Sequence, residues 1–282
     1  MRLPKFRLFD YDTPGPGVEK DAPKKKGLAL FWDILSRRFW KMVTLNLVYM
    51  LFSIPSYVIM WFATYTILTF FCSELMLNDA KFAESMPLLC MYLTAVIYAL
   101  FGGGAPTSGM TYVIRNYRRD THSWMWADFI SKFKENFVKS TCIFIIDTIM
   151  LFLMGANFWF YGKLAATNIV AYLLQGLMVV LFLIFLLMHA YIYPIHISFD
   201  KKLSEIYKSA FILALGKLPT TAASMALCTL ICGTITFLAF YITVYAMLLI
   251  PIMMFTFSCY VNLYITFPII EKYMVKKSAY EE

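Results

Sequence analysis

The chain has 282 residues, of which 61% are hydrophobic and 15% charged, with 25 Lys and Arg against 17 Asp and Glu. Soluble domains carry roughly 25% charged residues, so composition excludes the one or two soluble domains that the length alone would allow. The net charge of +8 does not signal nucleic acid, because the basic residues follow the layout of the apolar runs.

Residues 1–27 are polar and basic, with DTPGPGVEKDAPKKKG from Asp12 to Gly27. Pro and Gly deny this stretch regular structure, so it is expected to be a flexible cytoplasmic segment. It has no apolar core of the kind a cleavable signal needs. Lys24 to Lys26 would meet anionic lipid or dock a partner. Leu28, Phe31, Trp32, Leu35 and Phe39 then follow helical spacing, which predicts an interfacial helix over about 28–40.

Uncharged runs fill most of the chain beyond Lys41. Met42 to Ser73, Met86 to Ile114, Leu164 to Phe199 and Leu218 to Ile270 contain no Asp, Glu, Lys or Arg. Each exceeds the roughly 20 residues that a helix needs to cross the hydrocarbon. Backbone groups in lipid must be satisfied within the segment, so the runs are helices. The last would be ~80 Å long as one helix, which makes it two spans with a turn near Tyr241 to Tyr245. The sequence therefore predicts an all-α polytopic membrane protein with six spans, at about 42–73, 86–114, 140–162, 165–198, 218–241 and 245–270. The first is long enough to tilt or kink, with Pro55 as hinge. Further interfacial helices are expected at 124–138 and 202–215, and residues 273–282 form a tail after a single transmembrane domain, 28–272.

The basic residues number 10 before Met42, 6 from Arg115 to Lys139, 4 from Lys201 to Lys217 and 3 after Ile270, leaving Lys81 and Lys163. Six crossings put the four groups on one side, which the positive-inside rule makes cytoplasmic, with both termini. The spacing of Leu28, Phe31, Trp32 and Leu35 recurs at Trp126, Phe129, Ile130 and Phe133, and at Leu203, Ile206, Tyr207 and Ala210. Three units are expected, each an interfacial helix, an outward span and a returning span.

Three constellations stand out. Gly102, Gly103, Gly104, Pro106 and Gly109 predict a break or close packing in the second span, or a segment that faces a substrate. The run GAPTSGMT from Gly104 resembles a phosphate loop but has Met110 where that loop needs lysine and follows no strand, so no nucleotide site is expected. Arg115, Asn116, Arg118, Arg119, Asp120 and His122, with Asp128, Lys134 and Asn136 on the next helix, form a candidate cytoplasmic docking surface; topology alone also explains the arginines. Arg115 lies nearest the apolar run and needs a partner such as Asp147 or Asp120. Asp147 is the one acid inside a span, a functional candidate by default, and pairing with Arg115 or Lys139 would satisfy it. His189, with Asp147, is a candidate intramembrane polar site, and His196 lies two turns on. Either histidine can titrate or serve as a hydrogen-bonded structural residue. Cys228 and Cys232 lack His or carboxylate company, so no metal site is expected. Cys72 and Cys90 either bridge or serve as small core residues. No catalytic motif is present, and neither enzyme chemistry nor a cofactor is expected.

The stretches GPGVEKDAPKKKG, RRFWKMVTLNLVYMLFSIP, APTSGMTYVIRNYRRDTHSWMWADFISKFKENFVKS and YPIHISFDKKLSEIYKSAFILALGKLP resemble the YesL-like family of bacterial integral membrane proteins, which carry a domain of unknown function. This chain has Gly-Ala-Pro at Gly104 to Pro106 where that family has Gly-Pro. The resemblance implies about six spans in a bacterial plasma membrane and association with carbohydrate uptake loci. The sparse intramembrane polarity and the basic, aromatic cytoplasmic helices point to a non-enzymatic accessory or regulatory partner of a sugar ABC transporter or other membrane protein. The alternative is a small solute transporter or channel in its own right.

Overall fold

The first apolar run folds as one uninterrupted helix, α1, Gly27–Phe71. The computed structural model describes residues 27–73, 77, 79–121, 123–165, 168–241 and 253–275. α2 (Ala80–Phe101) and α3 (Ala105–Arg118) follow, then α4 (Met125–Glu135), α5 (Phe137–Ala165) and α6 (Ile169–His196). α7 (Leu203–Gly216), α8 (Leu218–Tyr241) and α9 (Phe255–Ile270) complete the bundle, with a π-helical turn at Glu271–Val275. No strand occurs among the described residues. Among those residues, five helices are long and apolar enough to cross a membrane: α1, α5, α6, and α2 and α8 over Phe82–Phe101 and Leu218–Leu238.

Two expectations need correction. The interfacial helix expected at 28–40 is not separate from the first span, because α1 runs straight through Lys41 and continues past Pro55. No residue between Phe39 and Thr44 can stop a helix. The later units do have breakers there. Asn136 ends α4, and Gly216, Lys217 and Pro219 separate α7 from α8. At ~68 Å for 45 residues, α1 is more than twice the hydrocarbon thickness, so its basic first third lies outside it. The second correction is that the run from 86 to 114 is two helices, α2 and α3, divided at Gly102–Gly104. Residues 242–245 of the turn expected near Tyr241 to Tyr245, the segment Lys24 to Lys26 and His122 lie outside the described residues.

Packing is uneven along the bundle. In α6 every residue from His189 to His196 is buried, whereas between Ile169 and Ile184 only Ala171 is. α5 buries Ser140, Ile143, Phe144 and Asp147, all near its start. The core gathers Ile34, Leu45 and Tyr49 of α1, Val113, Ile114 and Tyr117 of α3, Ile192 and Ile195 of α6, and Tyr260, Leu263, Phe267 and Ile270 of α9. These positions share the end that carries the arginines. At the other end Phe62, Phe70, Leu153, Phe160, Leu173 and Leu177 are exposed. In water such a surface would be an aggregation hazard; in a bilayer it is the solvated face. Exposed Trp32, Trp40, Trp124 and Trp126 ring the basic end, where membrane proteins keep their interfacial aromatics.

Candidate functional site

The helix break is built from glycine conformations. Gly102 and Gly104 have φ of 83° and 80°, which L side chains adopt only under strain. Where Gly103 would carry a Cβ stands the Tyr98 hydroxyl. Breaking a helix among buried residues frees backbone groups, and side chains take them up. Gly103 N–H donates to Thr107 Oγ1 at 2.7 Å and Gly104 N–H to Tyr193 Oη at 3.0 Å. The Tyr49 hydroxyl lies 3.2 Å from the same Thr107 oxygen, and Ser56 Oγ lies 2.7 Å from the Tyr98 hydroxyl. Pro106 then sits in the first turn of α3, where a missing N–H costs nothing. Every residue from Ala105 to Thr111 is buried. Gly109 lets α3 meet α4, since a Cβ there would touch Phe129.

Asp147 does not pair with Arg115 or Lys139. Its Oδ2 lies 3.0 Å from His189 Nε2, and its Oδ1 accepts from the Tyr207 hydroxyl at 2.8 Å. Both Asp147 and His189 are buried, and neither Oδ2 nor Nε2 has another partner among the described residues. Three helices, α5, α6 and α7, thus converge on one carboxylate. His189 Nδ1 lies 2.9 Å from the Phe185 carbonyl oxygen. A carbonyl can only accept, so Nδ1 carries the hydrogen, and in a neutral ring Nε2 is then an acceptor. Facing a carboxylate oxygen, that pair of acceptors needs one proton between them. Burial pushes the Tyr207 phenol well above its ordinary value, and the Asp147 charge adds to this, so Tyr207 remains a donor.

The polar site and the break are neighbours. The His189 ring sits between Phe101, the last residue of α2, and Phe185, at centroid distances of 4.4 and 4.6 Å. His189, Gly102, Thr107, Tyr193, Ser258 and Asn262 border a cavity of about 40 Å³. A second polar chain runs from Ser108 Oγ to Ser140 Oγ at 2.6 Å and on to His196 Nε2 at 3.0 Å. On the far side Asn262 donates to the Ala190 carbonyl and accepts from Ser224 Oγ. The structure brings Asp147, His189 and the glycines together and leaves the arginines elsewhere.

The arginines form a lattice at the basic end. Arg115 donates to the Ile197 carbonyl and Ser198 Oγ, both at 3.1 Å, and not to Asp120. Asp120 instead faces Arg37 at 3.3 Å and Arg38 at 3.2 Å. It can do so because it occupies the left-handed position after α3, with φ 53°. Asp120 N–H bonds to Tyr117 O and Thr121 N–H to Asn116 O, the Schellman arrangement that usually calls for glycine. Arg118 and Arg119 pair with Glu271 at 3.7 and 3.0 Å, and Lys139 with Asp200 at 2.5 Å. Asp128 accepts from Ser123, Asn136 folds back on Lys132, and Lys134 is exposed. All six cysteines are free thiols.

Sequence reasoning missed Tyr193, Tyr207, Thr107 and Ser140 at this centre. Tyr207 reads as part of an apolar helical stripe. The signal was the hydroxyl at a position where the other two units have Trp32 and Ile130.

Residues 85–158 match the model of a protein family of unknown function, DUF624. The match runs from the start of α2 across the break, α3 and α4 to within two turns of the end of α5. It therefore contains the glycines, Arg115, Arg118, Arg119 and Asp147, but not Arg37, Arg38, His189 or Tyr207. No curated protein and no solved structure is detectably similar.

Proposed function

We propose that this chain is a YesL-like, non-enzymatic protein of the bacterial plasma membrane that works as an accessory or regulatory partner of carbohydrate uptake of the ABC type. In this reading α9 belongs to the sixth span. Both termini and the Arg–Asp–Glu lattice then face the cytoplasm. The observation that carries the partner role over a carrier role is the small size of the polar centre. Its cavity of about 40 Å³ has room for a few waters at roughly 10–15 Å³ each, and not for a sugar. The cytoplasmic end offers a surface held in shape by ion pairs between elements, from Arg37 and Arg38 with Asp120 to Arg118 and Arg119 with Glu271. The resemblance of the arginine-rich stretch to the YesL-like family supports carbohydrate uptake as the setting. Affinity purification from native membranes tests this, with an ABC-type sugar permease as the expected co-purifying protein and its absence as the adverse result.

A second reading, a small solute transporter or channel, is favoured by one feature: a broken helix beside a buried acid–histidine pair. Vesicle flux that Asp147→Asn abolishes would establish it, and flux equal to that of empty vesicles across sugars and ions would remove it.

A further inference from the structure

The break between α2 and α3 leaves the end of a helix inside the bundle, where every residue from Phe101 to Thr111 is buried. Gly102 N–H closes the last regular turn of α2 on the Tyr98 carbonyl at 2.9 Å. In a continued helix the next two amides, those of Gly103 and Gly104, would serve the carbonyls of Ala99 and Leu100. They are diverted instead to Thr107 Oγ1 and Tyr193 Oη. The carbonyls of Ala99, Leu100 and Phe101 consequently have no donor among the described residues. By contrast, the carbonyl that Pro194 frees in α6 is provided for, since Asn262 Nδ2 donates to Ala190 O at 3.0 Å.

Ala99, Leu100 and Phe101 border the cavity of about 40 Å³, together with Thr107 and Thr111 of α3 and Ser258 of α9. Thr111 gives its hydrogen to the Thr107 carbonyl at 2.6 Å, which leaves its hydroxyl oxygen as an acceptor. Ser258 is buried. Carbonyls at the C-terminal end of a helix point along its axis and carry the negative end of its dipole. The wall of a space the size of a few waters thus offers neutral oxygens from three helices. Carbonyl ends of broken helices within a membrane suit monovalent cations, because the oxygens replace the hydration shell. No Asp, Glu, Lys or Arg borders the cavity, and the described residues hold no group of three His, Cys, Asp or Glu that could bind a metal. A divalent ion, which calls for carboxylates, and a transition metal therefore do not fit.

We propose that the end of α2 binds one monovalent alkali cation, sodium or potassium, through the carbonyls of Ala99, Leu100 and Phe101 and the hydroxyl oxygens of Thr111 and Ser258. The ion ties α2 to α3 and α9 at the point where the backbone gives up its own hydrogen bonds. The site stands whether the protein accompanies a permease or carries a solute.

The test uses purified full-length protein in detergent and choline chloride, with thermal unfolding followed as sodium or potassium chloride replaces choline. Holding the ionic strength constant removes screening from the comparison. One of the two ions should raise the melting temperature saturably, by roughly 2–4 °C once it exceeds its Kd about fourfold. Thr111→Val combined with Ser258→Ala removes two ligands and should move the midpoint to a concentration roughly tenfold higher or more. Equal melting temperatures in sodium, potassium and choline overturn the proposal and leave water as the occupant of the cavity. An unchanged midpoint in the double variant places the ion elsewhere and also overturns it. If that variant does not fold, equilibrium binding of radioactive sodium and rubidium to the wild type decides. Saturable binding that the unlabelled ion displaces and choline does not supports the site, and no saturable binding overturns it.

Discussion

Replacing His189 with leucine removes the one partner that Asp147 Oδ2 has among the described residues, 3.0 Å away, in a place where neither residue reaches solvent. Breaking a buried pair from one side costs about 3–5 kcal/mol, because the remaining group is left desolvated and unmatched. The shared proton makes a sharper contrast available. Asp147→Asn keeps Oδ1 for the Tyr207 hydroxyl and supplies an amide hydrogen to His189 Nε2, in place of that proton. Its cost should stay at the ~1 kcal/mol of one ordinary hydrogen bond. The double replacement Asp147→Leu with His189→Leu removes both groups and should cost far less than His189→Leu and Asp147→Leu added together. Reversible unfolding in mixed micelles, followed by circular dichroism, measures all four variants. If His189→Leu is as stable as wild type, or if Asp147→Asn is as damaging as His189→Leu, the one-proton reading of the pair is wrong.

Gly104→Ala should destabilise by about 1–3 kcal/mol from backbone strain, with further loss where its Cβ would stand 3.2 Å from Phe144 Cβ; the same unfolding assay reads it. Asp120→Gly should keep the turn after α3, because glycine is at ease at φ 53°. It should lose only the exposed ion pairs to Arg37 and Arg38, each worth about 0–1 kcal/mol, whereas Asp120→Val should destabilise more. Hydrogen exchange across 115–121 distinguishes the two. The hydrogen bond from Lys139 holds the Asp200 carboxyl below the usual carboxylate range. The contribution of this pair is therefore present above the ordinary carboxyl pKa and lost as pH falls through the lowered value. An NMR titration of the Asp200 carboxyl should show that low midpoint, and Lys139→Gln should raise it; no change on Lys139→Gln would contradict the assignment.

The helical character and the order of elements were legible because lipid permits so few solutions: a run such as Met42 to Ser73 can only be helix. The break at Gly102–Gly104 was legible as a local anomaly, three glycines and a proline in an apolar span. The continuity of α1 was less so, since an amphipathic stripe from Leu28 to Phe39 looks the same on a separate helix as at the start of a longer one. Asp147 announced itself by charge. Its partners did not, because Lys139 and Arg115 are nearer candidates by sequence and by sign. They were captured by Asp200 and by the Ile197 carbonyl, each at the far end of a span. The partners that did reach Asp147 come from 42 and 60 residues on, His189 and Tyr207, and periodicity carries no information about which helices become neighbours. The apolar cavity between α1, α2, α5 and α6 was invisible for the converse reason: a gap between four apolar helices leaves no mark in any one of them.

The role proposed for the protein is to assist carbohydrate uptake without carrying the solute. Native-membrane purification of the tagged full chain, followed by mass spectrometry and by flux assays on vesicles made with and without the co-purifying proteins, tests it in one preparation. The account predicts an ABC-type sugar permease in near-stoichiometric yield and no flux through this protein alone. Sugar or ion flux by the isolated protein, lost in Asp147→Asn, with no permease recovered, would contradict it.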